Sequence, residues 1–221
     1  MKRALATLIL GCTAFLSMVQ AEQAATSLTR PKGATLPVDA RGFIRRWLVL
    51  EPVPVPGRLT ESAVEEAVRS TTLSGSMDSL PRDGEVVMLP NSSATWHALD
   101  TINYNLNLYH FAWSLSKATS NVLFWVTTIV DSPREMHGIR LAIGSNAASR
   151  WWLNGERVIA LDDDRQTVID DGVSRRMTLR KGRNVIRAAI VNGGGATDFC
   201  ARFLDEDARP ITGLSVSLPR D

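Results

Sequence analysis

Two apolar segments meet at an Asn-Gly pair in the stretch Trp151-Trp152-Leu153-Asn154-Gly155-Glu156-Arg157-Val158-Ile159. Asn and Gly tolerate the positive φ angles of a two-residue hairpin turn better than other residues do. The flanking aromatic, aliphatic and β-branched residues are the types that are enriched in strands. The stretch therefore predicts a tight antiparallel hairpin, and a β fold is the first hypothesis for the chain.

Short strands separated by turn signals continue on both sides of this hairpin. The turns are marked by Asp-Ser-Pro, Lys-Gly-Arg-Asn and Asn-Gly-Gly-Gly sequences. Many short strands at intervals of roughly 8–12 residues are typical of a two-sheet sandwich or a barrel. The predicted strands are 43–50, 86–89, 105–115, 121–130, 139–143, 150–153, 157–161, 173–179, 185–191, 197–204 and 214–218.

One short helix is expected in the N-terminal part of the chain. Ser62 and Glu65 have the spacing of a capping box, in which the hydroxyl accepts from a backbone amide while the carboxylate reaches back. The apolar residues that would form its buried face are Ala63, Val64, Ala67 and Val68. We therefore predict a helix of about two to three turns that begins at this box.

Composition places the chain among globular proteins of one domain. It has 221 residues, of which 44% are hydrophobic and 22% charged, which excludes a disordered chain, a collagen-like repeat and a bundle of membrane helices. There are 25 basic and 23 acidic side chains, and two of the basic ones, Lys2 and Arg3, lie in a predicted leader. The remaining chain has no excess of positive charge, so nucleic acid is not an expected partner.

The first residues have the pattern of an export signal. Lys2 and Arg3 precede a mostly apolar run, and Ala21 offers a small residue at a cleavage site. A lipoprotein signal ending at Cys12 is the weaker alternative, because Leu10 is large for its position. The predicted organisation is a signal peptide over 1–21, a flexible linker over 22–41 and one domain over 42–221, exported to the periplasm or beyond the cell. No integral membrane segment is expected in the mature chain.

The mature chain cannot form an internal disulfide. Cys12 leaves with the predicted leader, and Cys200 remains alone. Because Cys200 lies in a predicted strand with no His beside it in the sequence, we expect a buried apolar thiol rather than a nucleophile.

Four segments in order resemble one known family. The family is that of the galactose-binding-like jelly-roll modules, which are carbohydrate-binding modules found on secreted bacterial glycoside hydrolases and esterases. The similar segments are the opening strand in 43–52, followed by residues 141–146, 152–158 and 179–185. The resemblance implies an all-β, antiparallel two-sheet jelly-roll β-sandwich of about eight core strands. It also implies a sugar held by loops at one end of the sandwich, with structural calcium as an accompanying ion.

The adjacent tryptophans have different predicted roles because neighbouring strand residues point to opposite faces. Trp152 occupies the tryptophan position of the resembled modules and is expected in the core. Trp151 would then face outward, and its ring could stack on a sugar. The predicted ligand-binding residues at the loop end are Asn146, Arg150, Trp151, Asp162, Asp163, Asp164, Asn192 and Asp198.

One departure from the resembled modules bears on this site. Their paired aspartates after Gly-Ser are replaced here by Asn146-Ala147, so a carboxylate is missing. The run Asp162-Asp163-Asp164 could supply oxygen ligands to calcium, but it lacks the spacing of a calcium loop, so a solvated acidic loop is the favoured interpretation.

Three functions remain open from the sequence. The first is a non-catalytic glycan-binding module, and the second is a cell-envelope or extracellular protein-interaction module on the same fold. The third is a small polysaccharide-cleaving enzyme, which would use a polar face formed by Tyr104, Asn105, Asn107, Tyr109 and His110 with Arg140 and Arg150. The chain has no Gly-x-Ser-x-Gly elbow, no phosphate-binding loop before a helix and no zinc-ligand spacing.

Overall fold

The structure is a computed structural model, and it describes residues 27–71, 80–90 and 92–219. Within these residues the chain forms sixteen β-strands and two α-helices. The predicted signal peptide with Cys12, and the first part of the predicted linker, lie outside the described residues. Among the helices that are described, none has the length and apolar character needed to cross a membrane.

The elements are numbered in chain order. They are β1 (Leu28–Thr29), β2 (Thr35–Pro37), β3 (Arg46–Leu50), β4 (Val53–Pro54), α1 (Glu61–Ser70), β5 (Val86–Leu89), β6 (Ser92–Thr101), β7 (Leu106–Asn107), α2 (Leu108–Ser114), β8 (Val122–Ser132), β9 (Met136–Ser145), β10 (Ala148–Leu153), β11 (Glu156–Leu161), β12 (Gly172–Val173), β13 (Met177–Leu179), β14 (Gly182–Asn192), β15 (Asp198–Leu204) and β16 (Ser215–Ser217).

The strands form two antiparallel sheets. The large sheet follows the order β1-β6-β3-β8-β14-β10-β11, and β2, β4, β5 and β16 add to it at its margins. The small sheet follows the order β12-β9-β15-β7, with β13 beside β9. This arrangement confirms the predicted all-β, two-sheet antiparallel sandwich.

The large sheet is buried on both faces. In β14, Ile186, Ala188 and Ile190 belong to the core between the two sheets. Ala189 and Val191 belong to a second apolar cluster, which includes the buried face of α1. A strand that is covered on both sides has a continuous apolar sequence, which is why 185–191 carries no clean alternation of apolar and polar residues.

The predicted hairpin at Asn154-Gly155 is confirmed. Leu153 pairs with Glu156, and Asn154 and Gly155 have φ angles of 52° and 84°. The Asn154 carboxamide also fixes the turn against β14, because its Oδ1 accepts from the Val185 amide at 2.9 Å.

The assignment of the two tryptophans was wrong. Trp151 is fully buried between the sheets, whereas Trp152 is partly exposed and packs near Trp125 on the outer side of the large sheet. Because both faces of β10 are covered, the sequence pattern does not distinguish the inner side from the outer one.

Helix α1 is where it was predicted, but it is not capped as predicted. Thr60 is the N-cap residue and makes no side-chain capping bond. Glu65 turns away from the helix terminus to Arg150 and Arg157, so the capping box at Ser62 does not form. The helix is stabilised instead by packing of Val64, Ala67 and Val68 on the large sheet.

A second helix and an additional strand correct two further expectations. The run 105–115 forms a strand only at β7 and continues as α2, so the prediction of a single helix was wrong. Strand β6 was not predicted, because its buried positions, Ala94, Trp96 and Ala98, are mostly small and its first residues are rich in Ser and Thr.

Part of the segment predicted as a linker pairs with strands of the large sheet. Strand β1 pairs with β6, and β2 pairs with β16. The buried guanidinium of Arg46 donates to the carbonyls of Lys32 and Gly33 at 3.2 and 3.0 Å. Two short strands and two backbone carbonyls of this segment are thus in contact with the large sheet.

One long connection crosses from the large sheet to the small one. Residues 162–171, which we call the crossing loop, lie over the outer face of the small sheet. A Cβ atom on Gly144 would lie 2.3 Å from the Val168 carbonyl oxygen, so the loop approaches β9 as closely as a glycine permits. Two residues after Val168, the loop is also held by an ion pair between Asp170 and Arg202, whose Nε lies 2.9 Å from Oδ1.

Candidate functional site

One end of the sandwich gathers most of the residues that were proposed as ligands. The end is defined by the start of β8 and the end of β14, where Val122 pairs with Asn192, and by the end of β9 and start of β15, where Ser145 pairs with Phe199. Loops 55–59, 115–121 and 193–197 and the beginning of the crossing loop meet there. We call it the loop end.

Asp198 is the centre of a polar group at the loop end. Its Oδ2 accepts from Asn105 Nδ2 at 2.5 Å, and its Oδ1 accepts from the Thr167 hydroxyl. Its backbone amide donates to Asn146 Oδ1 at 2.9 Å. We call Asn105, Asn146, Thr167 and Asp198 the Asp198 cluster.

The cluster joins four separate segments while remaining partly exposed. Asn146 also donates through Nδ2 to the Ala196 carbonyl at 2.5 Å, which fixes the glycine-rich loop before β15. Because these side chains hold one another in place, they present amide and carboxylate groups with little freedom left to lose on binding.

Asn192 was predicted as a ligand and instead organises the loops. It is 3% exposed, its Nδ2 donates to the Thr119 carbonyl at 2.6 Å, and its Oδ1 accepts from the Gly194 amide at 3.2 Å. Its side chain is therefore used inside the protein and is not available to a ligand.

Arg150 is likewise a structural residue. It lies on the outer face of β10 and is fully buried, with Nε 2.7 Å from Glu65 and Nη2 2.6 Å from Asp162. Burial by itself would lower its pKa, but hydrogen bonds to Glu65 and Asp162 outweigh this and raise the pKa above its ordinary value. The guanidinium is a fixed cation that joins α1, β10 and the crossing loop.

The acidic run divides into one paired and two exposed carboxylates. Asp162 pairs with Arg150, whereas the side chains of Asp163 and Asp164 are exposed. In the part of the chain that the structure describes, no group of three or more His, Cys, Asp or Glu residues is placed to hold a metal ion.

Trp151 was predicted to be an exposed aromatic side chain, but an exposed tryptophan is found instead on α2. Trp113 is 51% exposed, whereas Trp151 is fully buried. Tyr109 lies four residues before Trp113, so the two rings are on the same side of the helix. The sequence does carry a signal for this helix: Asn107 is a good N-cap, and Leu108, Phe111 and Ala112 have helical spacing.

Helix α2 is fixed to the loop end at its start. Its N-cap, Asn107, is the ladder partner of Asp198 and accepts through Oδ1 from the His110 amide at 2.8 Å. The amides of Leu108 and Tyr109 both donate to the Thr197 carbonyl, at 2.8 and 3.1 Å. The exposed aromatic side of α2 therefore begins directly beside the Asp198 cluster.

The carboxylate of Glu51 binds Lys117, in the segment that follows α2, and also His97. Lys117 Nζ lies 3.1 Å from Glu51, and His97 Nε2 lies 3.3 Å from the same carboxylate. Burial raises the pKa of Glu51, but the bonds to Lys117 and His97 outweigh it and hold the pKa below its ordinary value. Burial lowers the pKa of His110, which favours the neutral imidazole.

The residues of the enzyme hypothesis do not form one site. The run from Tyr104 to His110 is not one alternating strand, because α2 begins at Leu108. Asn105 bonds to Asp198 at the small sheet, whereas Arg150 is buried against α1 on the outer face of the large sheet. Arg150 is therefore separated from the polar side chains that this hypothesis placed on one face.

Cys200 is buried beneath the crossing loop, and the expectation of a buried thiol is confirmed. Burial, with smaller contributions from Asp170 and Asp198, raises the pKa of the thiol from 9.0 to about 11.

We therefore expect Cys200 in the folded protein to react with a thiol reagent about a hundredfold more slowly than an accessible cysteine, because reaction requires the thiolate. Absorbance assays with an aromatic disulfide in buffer and in urea measure this difference, and rapid labelling of the folded protein would contradict it.

Comparisons with known proteins give distant structural similarity. No protein-family model and no curated protein matches the chain. It is similar to the PA14 sugar-binding domain from an RTX adhesin, with 9% identity over 82% of this chain and 100% of that one and a TM-score of 0.46. A family 35 carbohydrate-binding module from Clostridium thermocellum has 21% identity over 38% of this chain and 71% of that one, with a TM-score of 0.26. A β-glucosidase from Kluyveromyces marxianus has 16% identity over 72% of this chain, with a TM-score of 0.38, and the match spans 17% of the β-glucosidase.

Proposed function

We propose that the chain is an exported, non-catalytic glycan-binding module that holds a sugar at the loop end. The observation that supports this proposal is the half-exposed indole of Trp113, on a helix that starts beside the Asp198 cluster. The indole of Trp113 offers a large, rigid apolar ring face at the surface, and such a face can stack on the C–H face of a sugar.

The Asp198 cluster supplies the polar half of the proposed site. A sugar is bound by an apolar surface together with a few fixed donors and acceptors that match its hydroxyl groups. Asn105, Asn146 and Asp198 provide amide and carboxylate groups that are already held in place. Of the residues proposed from the sequence, Asn146 and Asp198 keep a direct role, and Asp163 and Asp164 form an exposed rim.

Four other residues support the site from behind. These residues are buried or paired, so they position loops and do not touch the sugar. They are Arg150, Trp151, Asp162 and Asn192. This division moves the proposed aromatic contact from Trp151 to Trp113. It leaves the proposed place of binding, loops at one end of a galactose-binding-like sandwich, unchanged.

Export is part of the same proposal. The predicted leader over 1–21 would direct the chain to the periplasm or beyond the cell, where glycans are accessible. A single cysteine in the mature sequence suits an oxidising compartment, because no wrong disulfide can form within the chain.

A glycan array tests the proposal with the mature chain and two variants. We expect binding to one class of glycan, and Trp113→Ala should weaken it by about tenfold or more, because the stacking surface is lost. The stability of this variant should stay within about 0.5 kcal/mol of the wild type, as is usual for an exposed side chain. Met88→Ala, at an 80% exposed position on β5, is the matched control and should leave binding unchanged.

Two results would contradict the proposal. One is full glycan affinity in Trp113→Ala, and the other is no binding to any glycan by a folded sample. Repeating the array with calcium and with a chelator would show separately whether an ion contributes. Silence on the array would favour the alternative, a protein-interaction module, which is also favoured by Asn146-Ala147 in place of paired aspartates.

A further inference from the structure

Helix α2 carries an uncharged surface beside the Asp198 cluster. Residues 105–116, which include the whole helix, contain no Asp, Glu, Lys or Arg. Burial lowers the pKa of His110, so its imidazole adds no positive charge near neutral pH. The exposed side of the helix therefore offers aromatic rings and hydrogen-bonding groups without a charged side chain.

Two aromatic rings on this surface follow one another along the helix. Tyr109 is partly exposed and Trp113 is 51% exposed. Four residues of an α-helix advance by about 6 Å along its axis, and residues at this spacing lie on the same side. Neighbouring sugar rings in an extended glycan chain have a similar separation. The two side chains can therefore stack on different sugars of one chain.

The Asp198 cluster continues this row of rings. Helix α2 begins where Asn107 pairs with Asp198 in the small sheet. The Tyr109 amide donates to the Thr197 carbonyl at 3.1 Å, which brings the first residue of the row next to the cluster. Trp113 lies one helical turn further along. A chain that covers both rings would thus reach fixed amide and carboxylate groups at one end.

The charges around the cluster disfavour an acidic sugar. Asp163 and Asp164 are exposed, and the Asp198 carboxylate accepts from the uncharged side chains of Asn105 and Thr167. One exposed guanidinium, that of Arg58 in loop 55–59, opposes these three carboxylates. The other charged groups near this end form ion pairs, which are Lys117 with Glu51, Arg165 with Asp171 and Arg150 with Asp162. Like charges placed across a binding site oppose association.

We propose that the loop end binds an extended glycan chain without acidic groups, laid along α2 from the Asp198 cluster over Tyr109 to Trp113. The ligand is then an internal stretch of a polysaccharide and not a single terminal sugar, an assignment that rests on the function proposed above. Each ring would stack on one sugar, and the cluster would bind the hydroxyl groups of a third. Affinity should therefore grow with chain length until all three places are filled.

Oligosaccharides of defined length test this with the mature chain. The probes are cello-, xylo-, manno- and laminari-oligosaccharides, from the monosaccharide to the hexasaccharide, together with hexagalacturonate. By isothermal titration calorimetry, we expect affinity in the series that binds to rise by about tenfold or more between the monosaccharide and the trisaccharide, and to change little beyond it. Hexagalacturonate should bind at least about tenfold more weakly than the best neutral hexasaccharide, because its carboxylates would meet those of the site.

Matched variants assign the gain with length to the two rings. For the best neutral hexasaccharide, Tyr109→Ala should lower the affinity by about fivefold and Trp113→Ala by about tenfold or more. Tyr109→Phe keeps the ring and should bind as the wild type does, which separates stacking from the loss of a hydroxyl group. Val173→Ala is the control, because Val173 is 40% exposed on β12, at the opposite edge of the small sheet from β7 and α2.

Different results would overturn chain binding and the proposed function itself. Equal affinity for the monosaccharide and the hexasaccharide of a series that binds would overturn chain binding and leave a site for a single sugar. Unchanged hexasaccharide affinity in a folded Tyr109→Ala variant would do the same, and the length series decides the question if that variant does not fold. Tightest binding of hexagalacturonate would overturn the non-acidic assignment. Absence of binding to every probe by the folded protein would contradict both proposals.

Discussion

Replacing Trp151 by alanine is expected to lower the free energy of unfolding by about 3–5 kcal/mol. The side chain is fully buried between the sheets, in edge-to-face contact with Trp47 and Phe199 at ring-centroid distances of 6.3 and 5.4 Å. Its indole nitrogen donates to Ser149 Oγ at 3.0 Å. Truncation would remove these contacts and leave a cavity that the two sheets cannot close. Urea unfolding followed by far-UV circular dichroism measures the change.

Two control variants show whether the loss of stability comes from the buried position of the side chain. Trp151→Phe keeps part of the ring volume and should cost less than the alanine variant, because a smaller cavity remains. Trp113→Ala removes the same side chain from the surface and should change the unfolding free energy by no more than about 0.5 kcal/mol. Equal stability of Trp151→Ala and the wild type would show that Trp151 does not fill the core.

Replacing Arg150 by alanine is expected to lower the free energy of unfolding by about 2–4 kcal/mol. The fully buried guanidinium donates to Glu65, to Asp162 and to the Leu161 carbonyl, the last at 2.8 Å. Without it, the Leu161 carbonyl loses its donor, Asp162 loses its counter-charge, and Glu65 keeps only the exposed Arg157 as a partner. Glu65 and Asp162 are themselves 43% and 35% exposed, which lets water compensate in part and keeps the estimate below that for a fully enclosed pair.

Two other substitutions isolate the role of the buried charge. Arg150→Met keeps most of the side-chain length without the charge, and its cost relative to alanine separates packing from ion pairing. Arg157 contacts the same Glu65 oxygen at 2.8 Å from an exposed position, so Arg157→Ala should cost less than about 1 kcal/mol. A cost for Arg150→Ala no larger than that of Arg157→Ala would contradict the assignment. Urea midpoints and slopes of all variants provide the comparison.

The sequence predicted most of the strands because turn chemistry is local. Asn154-Gly155 defines a hairpin wherever it occurs between apolar segments, and the structure confirms it. The side to which each strand residue points depends on distant packing. The cover provided by α1 buries the outer face of β10 as well as the inner one, so the order Trp151-Trp152 contains no information on which ring enters the core between the sheets.

The candidate site was predicted only in part, because some of its residues are placed by strand order and others by contacts between distant segments. Asn146 and Asp198 lie at strand ends, where the antiparallel pattern alone brings them together. Trp113 was missed because the residues before it alternate as they would in a strand, while the Asn107 cap that starts α2 was not recognised. Arg150 was predicted to be a ligand because charged residues are usually exposed, and only the tertiary contact with Glu65 shows otherwise.

The crossing loop also constrains how this sequence can diverge. With the Val168 carbonyl so close to Gly144, a side chain at that position would push the loop away from the small sheet. Homologues that keep the loop should therefore retain glycine at 144, and should exchange Asp170 and Arg202 together or not at all. In an alignment, the correlated loss of all three would mark the lineages in which this part of the sandwich has been rebuilt.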